Sequence, residues 1–152
     1  SADEEVLVAI GGLSASLGAA DITEIEFIST SFDKSEGGTL SARVRFNEPV
    51  VVSTSGGTPT LSVTNGNQGS GSGRGPHALA YASGTGTNEL VFSLAIGAAN
   101  AATNAGDILV IGANAVALNS GTIKDVATST TNATITHSAA IGTAAGSITV
   151  AA

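Results

Sequence analysis

Ser41 to Phe46 alternate without a break, with Ala42, Val44 and Phe46 on one side of an extended chain and Ser41, Arg43 and Arg45 on the other. Successive side chains of a strand point to opposite faces, so this run puts one face in a core and the other in water. Glu48-Pro49 interrupts it, and a second extended run follows at Val50 to Val52. Gly56-Gly57-Thr58-Pro59 turns the chain, after which Leu61 and Val63 resume the alternation. The stretch predicts strands of a sandwich and contains no constellation that does chemistry.

The same period recurs along the chain. Ile25 and Phe27 oppose Glu24, Glu26 and Ile28, and Leu79 and Tyr81 begin another strand. Leu90, Phe92, Leu94 and Ile96 alternate with Val91, Ser93 and Ala95, the cleanest such run. Asp107 to Ile111, Ala115 to Leu118 and Thr122-Ile123 read as short strands, and Ile135 as part of a final one. Asp33 to Gly38 is a polar turn, Asn65-Gly66 a hairpin signal and Gly66 to Pro76 a flexible tip. Pro49 has no N–H to give a ladder, which places it at a strand start, a bulge or an edge. Gly97 to Gly106 is expected to hold a short helical turn. Short strands with turn signals roughly every ten residues predict an all-β antiparallel sandwich.

At 152 residues the chain is expected to form one domain with a substantial core. Only 11% of residues are charged, so Ser, Thr, Asn, Gly and Ala must cover the surface. Much of the apolar fraction is Ala, which leaves Leu, Ile, Val, four Phe and one Tyr as core-formers. A net charge of −7 with five scattered basic residues repels a phosphate backbone, so no nucleic-acid partner is expected. An anionic membrane surface is disfavoured for the same reason, and no run approaches the roughly 18 apolar residues of a span. The absence of cysteine rules out disulfides and thiolate metal sites.

Both ends differ from the middle. Val6, Leu7, Val8, Ile10, Leu13 and Leu17 form an apolar N-terminal segment, broken by Gly11-Gly12, which disfavour a continuous helix by about 1 kcal/mol each. Such a segment either packs on its own domain or is an arm that docks on a neighbouring subunit, since apolar surface left in water is a liability. Asp3-Glu4-Glu5 precede it where a secretory signal would be basic. Ser1 reads as a start left by removal of an initiator Met, with a mature or engineered start as the alternative; a native start would imply a chain made without such a signal. Ile148 and Val150 lie in an Ala/Gly/Thr tail expected to pair with another chain, for instance by adding a strand to a sheet edge. The expected organisation is an N-terminal arm over residues 1–20, a sandwich over 21–137 and a C-terminal tail or strand over 138–152. These eight apolar residues are the candidate interface.

Candidate chemistry is sparse. The loop from Gly66 to Pro76 has no lysine and so cannot be a Walker-type phosphate loop; a dinucleotide pattern fails at Arg74 and Pro76. His77 and His137 are expected to be loop or strand-edge residues, and no Gly-x-Ser-x-Gly elbow accompanies them. No catalytic residue and no cofactor are expected. The acids Asp33 with Glu36, Glu48, Asp107 and Asp125 are dispersed and read as solvated turn carboxylates and caps; a Ca²⁺ ion held between loops is the alternative. Glu48 is expected to act as a structural acceptor in the Glu-Pro corner.

Three phrases carry a family resemblance: Val44 to Val52 with Gly56 to Gly66, Ala80 to Phe92, and Val116 to Ala127. Their order and spacing resemble the immunoglobulin-like repeats of giant bacterial surface proteins, including those similar to cyanobacterial swimming-motility proteins. The likeness covers about residues 21–136. It implies an immunoglobulin-like sandwich used as a spacer, an adhesive module or a display domain. The family occurs in tandem arrays, whereas this chain holds one copy flanked by apolar arms. By analogy with the immunoglobulin-like domains that decorate tailed phages, a non-enzymatic virion-surface protein is expected. It would decorate or cement a capsid or fibre, as a homo-oligomer or part of a large assembly. The alternative is an extracellular surface, filament or adhesin module. A carbohydrate-binding module is a third reading, but Tyr81 and the four Phe fall mostly at core phases and leave little for an aromatic platform.

Overall fold

A computed structural model describes residues 18–66 and 75–152. The strands are β1 (Ile22–Phe27), β2 (Phe32–Asp33), β3 (Gly38–Ser53), β4 (Thr60–Asn65), β5 (His77–Ser83), β6 (Thr87–Ile96), β7 (Ile108–Val110), β8 (Val116–Ala117), β9 (Thr122–Asp125) and β10 (Ser147–Ala151), with one short helix, α1 (Ala139–Thr143). They form a curled sheet in the order β1-β3-β6-β5-β4-β7-β10-β2, with β8 also on β4 and β9 also on β3. Every pairing between these strands is antiparallel except that of β10 with β2.

The 16-residue β3 is the spine. Leu40, Ala42, Val44, Phe46 and Val50 are all at most 1% exposed, while Ser41, Arg43 and Arg45 alternate with them on the outer face. Along one edge β3 pairs with β6, in a register that shifts between Arg45 and Val50. Along the other it pairs with β1 through Phe46, then with β9 from Val50 onward. The change of partner falls at Glu48-Pro49. Proline offers no N–H to a ladder, and an irregular register at that point bends and twists the strand. The expected interruption is therefore a bulge inside one strand rather than a break between two.

A second handover curls the sheet further. β4 keeps β5 on one edge but changes on the other from β8, at Thr60 and Leu61, to β7, at Thr64 and Asn65. The inward faces enclose one core in which Leu61, Leu79, Leu90, Phe92, Leu109 and Ile111 are fully buried. Tyr81 meets Phe92 edge-on at a ring separation of 6.0 Å. That pairing spends the single tyrosine ring on the fold, while its hydroxyl accepts the Thr85 N–H at 2.9 Å.

Three expectations are corrected here. Residues 138–152 hold α1 and then β10, so the expected tail or strand is a strand, but it pairs with β7 and β2 of the same chain and not with another chain. Ile148 and Val150 are 3% and 2% exposed, so both candidate interface side chains are used in the chain's own core. Ile135 does not lie in a strand; it packs partly buried against the core beside the single bridges Asp21–Thr134 and Lys124–Asn132. Gly97 to Gly106 forms successive turns instead of a helix, with the Ala99 N–H bonded to the Lys34 carbonyl at 2.7 Å. Val6, Leu7, Val8, Ile10, Leu13 and Leu17 lie outside the described residues.

If β10 is an integral strand, Ile148→Ala should cost about 2–5 kcal/mol of unfolding free energy in urea, the usual range for a buried Ile. Val51→Ala, at a side chain 38% exposed on the outer face, should stay within about 0.5 kcal/mol.

Candidate functional site

The loops that close the sheet gather at two poles. At one, the turn after β2 and the β6–β7 connection meet. Lys34 Nζ donates to the Thr103 carbonyl at 2.9 Å and reaches Asn104 Oδ1 at 3.4 Å, tying the two together. Asp33 caps its own turn, accepting the Ser35 N–H, the Ser35 hydroxyl and the Glu36 N–H. Those bonds hold its carboxyl below the ordinary range, the Ser35 hydroxyl first among them. This acid matches the expectation of a turn cap.

Beneath this pole lies a buried polar cluster. Asn65 closes β4, His77 opens β5 and Asp107 precedes β7, so three strand ends bring them together; they are 2%, 5% and 0% exposed. Asn65 Nδ2 donates to Asp107 Oδ2 at 2.7 Å and lies 3.5 Å from His77 Nε2. Asp107 also accepts the Asn104 N–H at 2.9 Å. Burial depresses the His77 pKa below its ordinary value against an opposing pull from Asp107, which favours the neutral ring. The cluster thus fastens the roots of the β4–β5 and β6–β7 connections, the place where a binding loop would need a rigid base.

Asp107 corrects the expectation of a solvated turn carboxylate. His77 stands at a strand end and His137 in a loop, as expected, but both are buried, at 5% and 8% exposed. The His137 Nε2 accepts the Ala115 N–H at 2.9 Å and its Nδ1 lies 3.0 Å from the Ser138 carbonyl. That pair of bonds requires a neutral ring with the proton on Nδ1. The ring therefore pins the segment before α1 to the stretch before β8. Asp125, also read as a solvated carboxylate, is 2% exposed.

At the opposite pole the connections after β3 and β8 interlock, with β5 bonded alongside. A Cβ on Gly57 would sit 1.8 Å from the Asn119 carbonyl oxygen, and one on Gly121 would sit 2.3 Å from that of Gly57. Asn119 Nδ2 donates to the Thr58 carbonyl at 3.1 Å and to Thr60 Oγ1 at 2.9 Å. The Tyr81 N–H donates to the Pro59 carbonyl at 2.8 Å. Residues from all three phrases quoted for the family resemblance meet here.

The outer face of β1-β3-β6 carries the densest surface charge in the described residues. Arg45 bridges Glu24 at 2.7 Å and Glu89 at 2.6 Å, and Arg43 bridges Glu26 at 2.9 Å and Glu89 at 3.6 Å. The register places these residues opposite or diagonal to one another across the three strands. Contact with Glu24, then with Arg43, holds Glu26 below the ordinary carboxylate range. At 35–41% side-chain exposure such pairs favour one register and contribute little stability.

Among the described residues no group of three or more His, Asp or Glu side chains is placed to hold a metal ion, and no helix is long and apolar enough to cross a membrane. Asn65→Ala removes the amide that bonds the buried Asp107 carboxylate and should cost about 1–3 kcal/mol in urea unfolding. Because folding lowers the His77 pKa, the folded chain binds fewer protons there, and stability should fall as pH drops through the ordinary histidine range near 6.5. His77→Gln should flatten that part of the pH profile. Comparison with protein-family models, with curated proteins and with solved structures found no match to this chain.

Proposed function

We propose that this chain is a non-enzymatic structural module that is held in a large protein assembly by its apolar N-terminal segment, as a virion-surface protein decorating or cementing a capsid or fibre. The observation that carries the reading is the contrast between the two ends. The C-terminal residues are consumed by β10, whereas the segment bearing Val6, Leu7, Val8, Ile10, Leu13 and Leu17 meets the described fold at a fixed point. There Ala20 is fully buried, the Thr134 N–H donates to its carbonyl at 2.8 Å, and Asp21 and Asn47 exchange two bonds at 2.9 Å. A rigid attachment lets burial of those six side chains on a neighbour transmit force to the whole domain. At about 25 cal/mol per Å² such a docked segment is worth several kcal/mol before ordering costs, and repetition over a lattice multiplies it.

The second reading is an immunoglobulin-like module of a bacterial cell surface, filament or adhesin. What favours it is the opposite pole, where Gly56-Gly57, Tyr81 and Asn119 to Gly121 of the three family-like phrases interlock. Both readings take the curled sheet as a sandwich of the immunoglobulin-like kind.

Removing residues 1–17 separates the two. On the assembly reading the intact chain is oligomeric in sedimentation or light scattering, and the shortened chain is a folded monomer. An intact chain that is already monomeric, and still monomeric after the deletion, would favour the surface module.

A further inference from the structure

At the bulge of β3, Glu48 Oε2 is buried and accepts no hydrogen bond. A buried carboxylate oxygen with no donor is costly, because water has been removed and nothing replaces it. Asp125, at the end of β9, stands opposite Val50 in the ladder, two residues along β3 from Glu48, so the register makes the two acids diagonal neighbours across the strands. Asp125 is itself 2% exposed, and its Oδ1 is engaged by the Ala127 N–H at 2.8 Å. Asp21 adds a third negative charge nearby. Lys124 precedes Asp125 on β9, so the alternation of a strand sends its side chain to the other face. Among the described residues no Lys or Arg forms an ion pair with any of the three acids.

Two carboxylates cannot meet in this way unless something positive lies between them, and a proton is the smallest such thing. One neutral carboxyl supplies an O–H donor to its charged neighbour, in a short, charge-assisted bond. We propose that Glu48 carries a proton and donates it in a hydrogen bond to Asp125, forming an acid-strengthened clasp over the junction where β3 changes partner. The segments it holds are visible in the backbone bonds around it. The Val126 N–H donates to the Pro49 carbonyl at 3.1 Å, the Asp125 N–H to Thr131, and the Ala133 N–H to Ile123. Thr134 then binds Ala20, and Asn47 binds Asp21. A change of charge at Glu48 thus acts on three stretches at once: residues 20–21, 47–49 and 125–134.

The pKa of Glu48 lies above its ordinary value of 4.5, through its bond to Asp125 first, then burial, then the charges of Asp125 and Asp21. The sign follows. A group that holds its proton more tightly when folded adds stability that is complete below its unfolded pKa and is lost as pH rises through the folded one. His77 works in the opposite direction, so the comparison must be made against a variant of the clasp alone.

The test is urea unfolding of the full chain and of Glu48→Gln at about pH 5 and about pH 8. The amide donates to Asp125 at every pH and does not titrate. The expected result is that Glu48→Gln unfolds at a higher urea midpoint than the wild type at the higher pH and that this advantage shrinks or reverses at the lower one. A midpoint difference that does not change with pH overturns the proposal. So does Ca²⁺ raising the wild-type midpoint at the higher pH but not that of the variant, since a cation would then occupy the proton's place. Should the variant not fold, an NMR titration of the Glu48 side-chain carboxyl in the wild type decides the matter. Proton uptake centred above 4.5 supports the clasp, and uptake at or below it overturns the clasp.

Discussion

The fold depends on one strand serving two neighbours along a single edge. β3 is long enough to pair with β1 over its first part and β9 over its last, and Glu48-Pro49 marks the change. A proline in the middle of a ladder would ordinarily weaken it, because a hydrogen bond is lost. Here it sits where the ladder must let one partner go and take another. The alternation of Leu40, Ala42, Val44 and Phe46, taken up again at Val50, keeps one face inside on both sides of the bend. β4 repeats the device with β8 and β7, and between them the two handovers curl the sheet around one core.

With so few charged residues the chain uses buried polar groups at its joints. Asn65 and Asp107 bind the ends of β4 and β7, and His137 holds the approach to α1 against Ala115. Each connects stretches far apart in sequence, and each would be costly if only half made, because a buried polar atom without its partner loses water and gains nothing. Such contacts discriminate the native arrangement from slipped alternatives more than they add stability. The charged ladder of Arg43 and Arg45 with three glutamates plays the same part on the wet face, where a slip of one residue would turn one strand's charges toward the core and away from their partners.

The main strands were legible because period-two alternation is a local signal, as at Leu90 to Ile96, and because Pro49 and Asn65-Gly66 have local steric meaning. What was not legible is non-local. Ile148 and Val150 look like the residues of a sticky tail until β7 and the two residues of β2 are seen beside them; a parallel pair formed by Phe32 and Asp33 leaves no trace in a sequence window. His77, His137, Asp107 and Asp125 are polar residues in turn-like contexts, so their burial follows from partners at distances that composition does not reveal. The alternation of β4 did contain a hint: Asn65 continues the inward phase of Leu61 and Val63, which already places an amide inside.

The claim on which the rest stands is that the sheet, from β3 to the C-terminal strand, is one cooperative body. Native-state hydrogen exchange of the full chain measures this most directly. The Val150 amide, bonded to the Asp107 carbonyl at 2.8 Å, is compared with the ladder amides of Ala42 and Val44 in β3. Exchange of β10 and β3 through the same global unfolding free energy is the predicted result. Exchange of Val150 through a separate opening of low free energy, with β3 still protected, would mean that the last strand is a loosely held tail and would contradict the account.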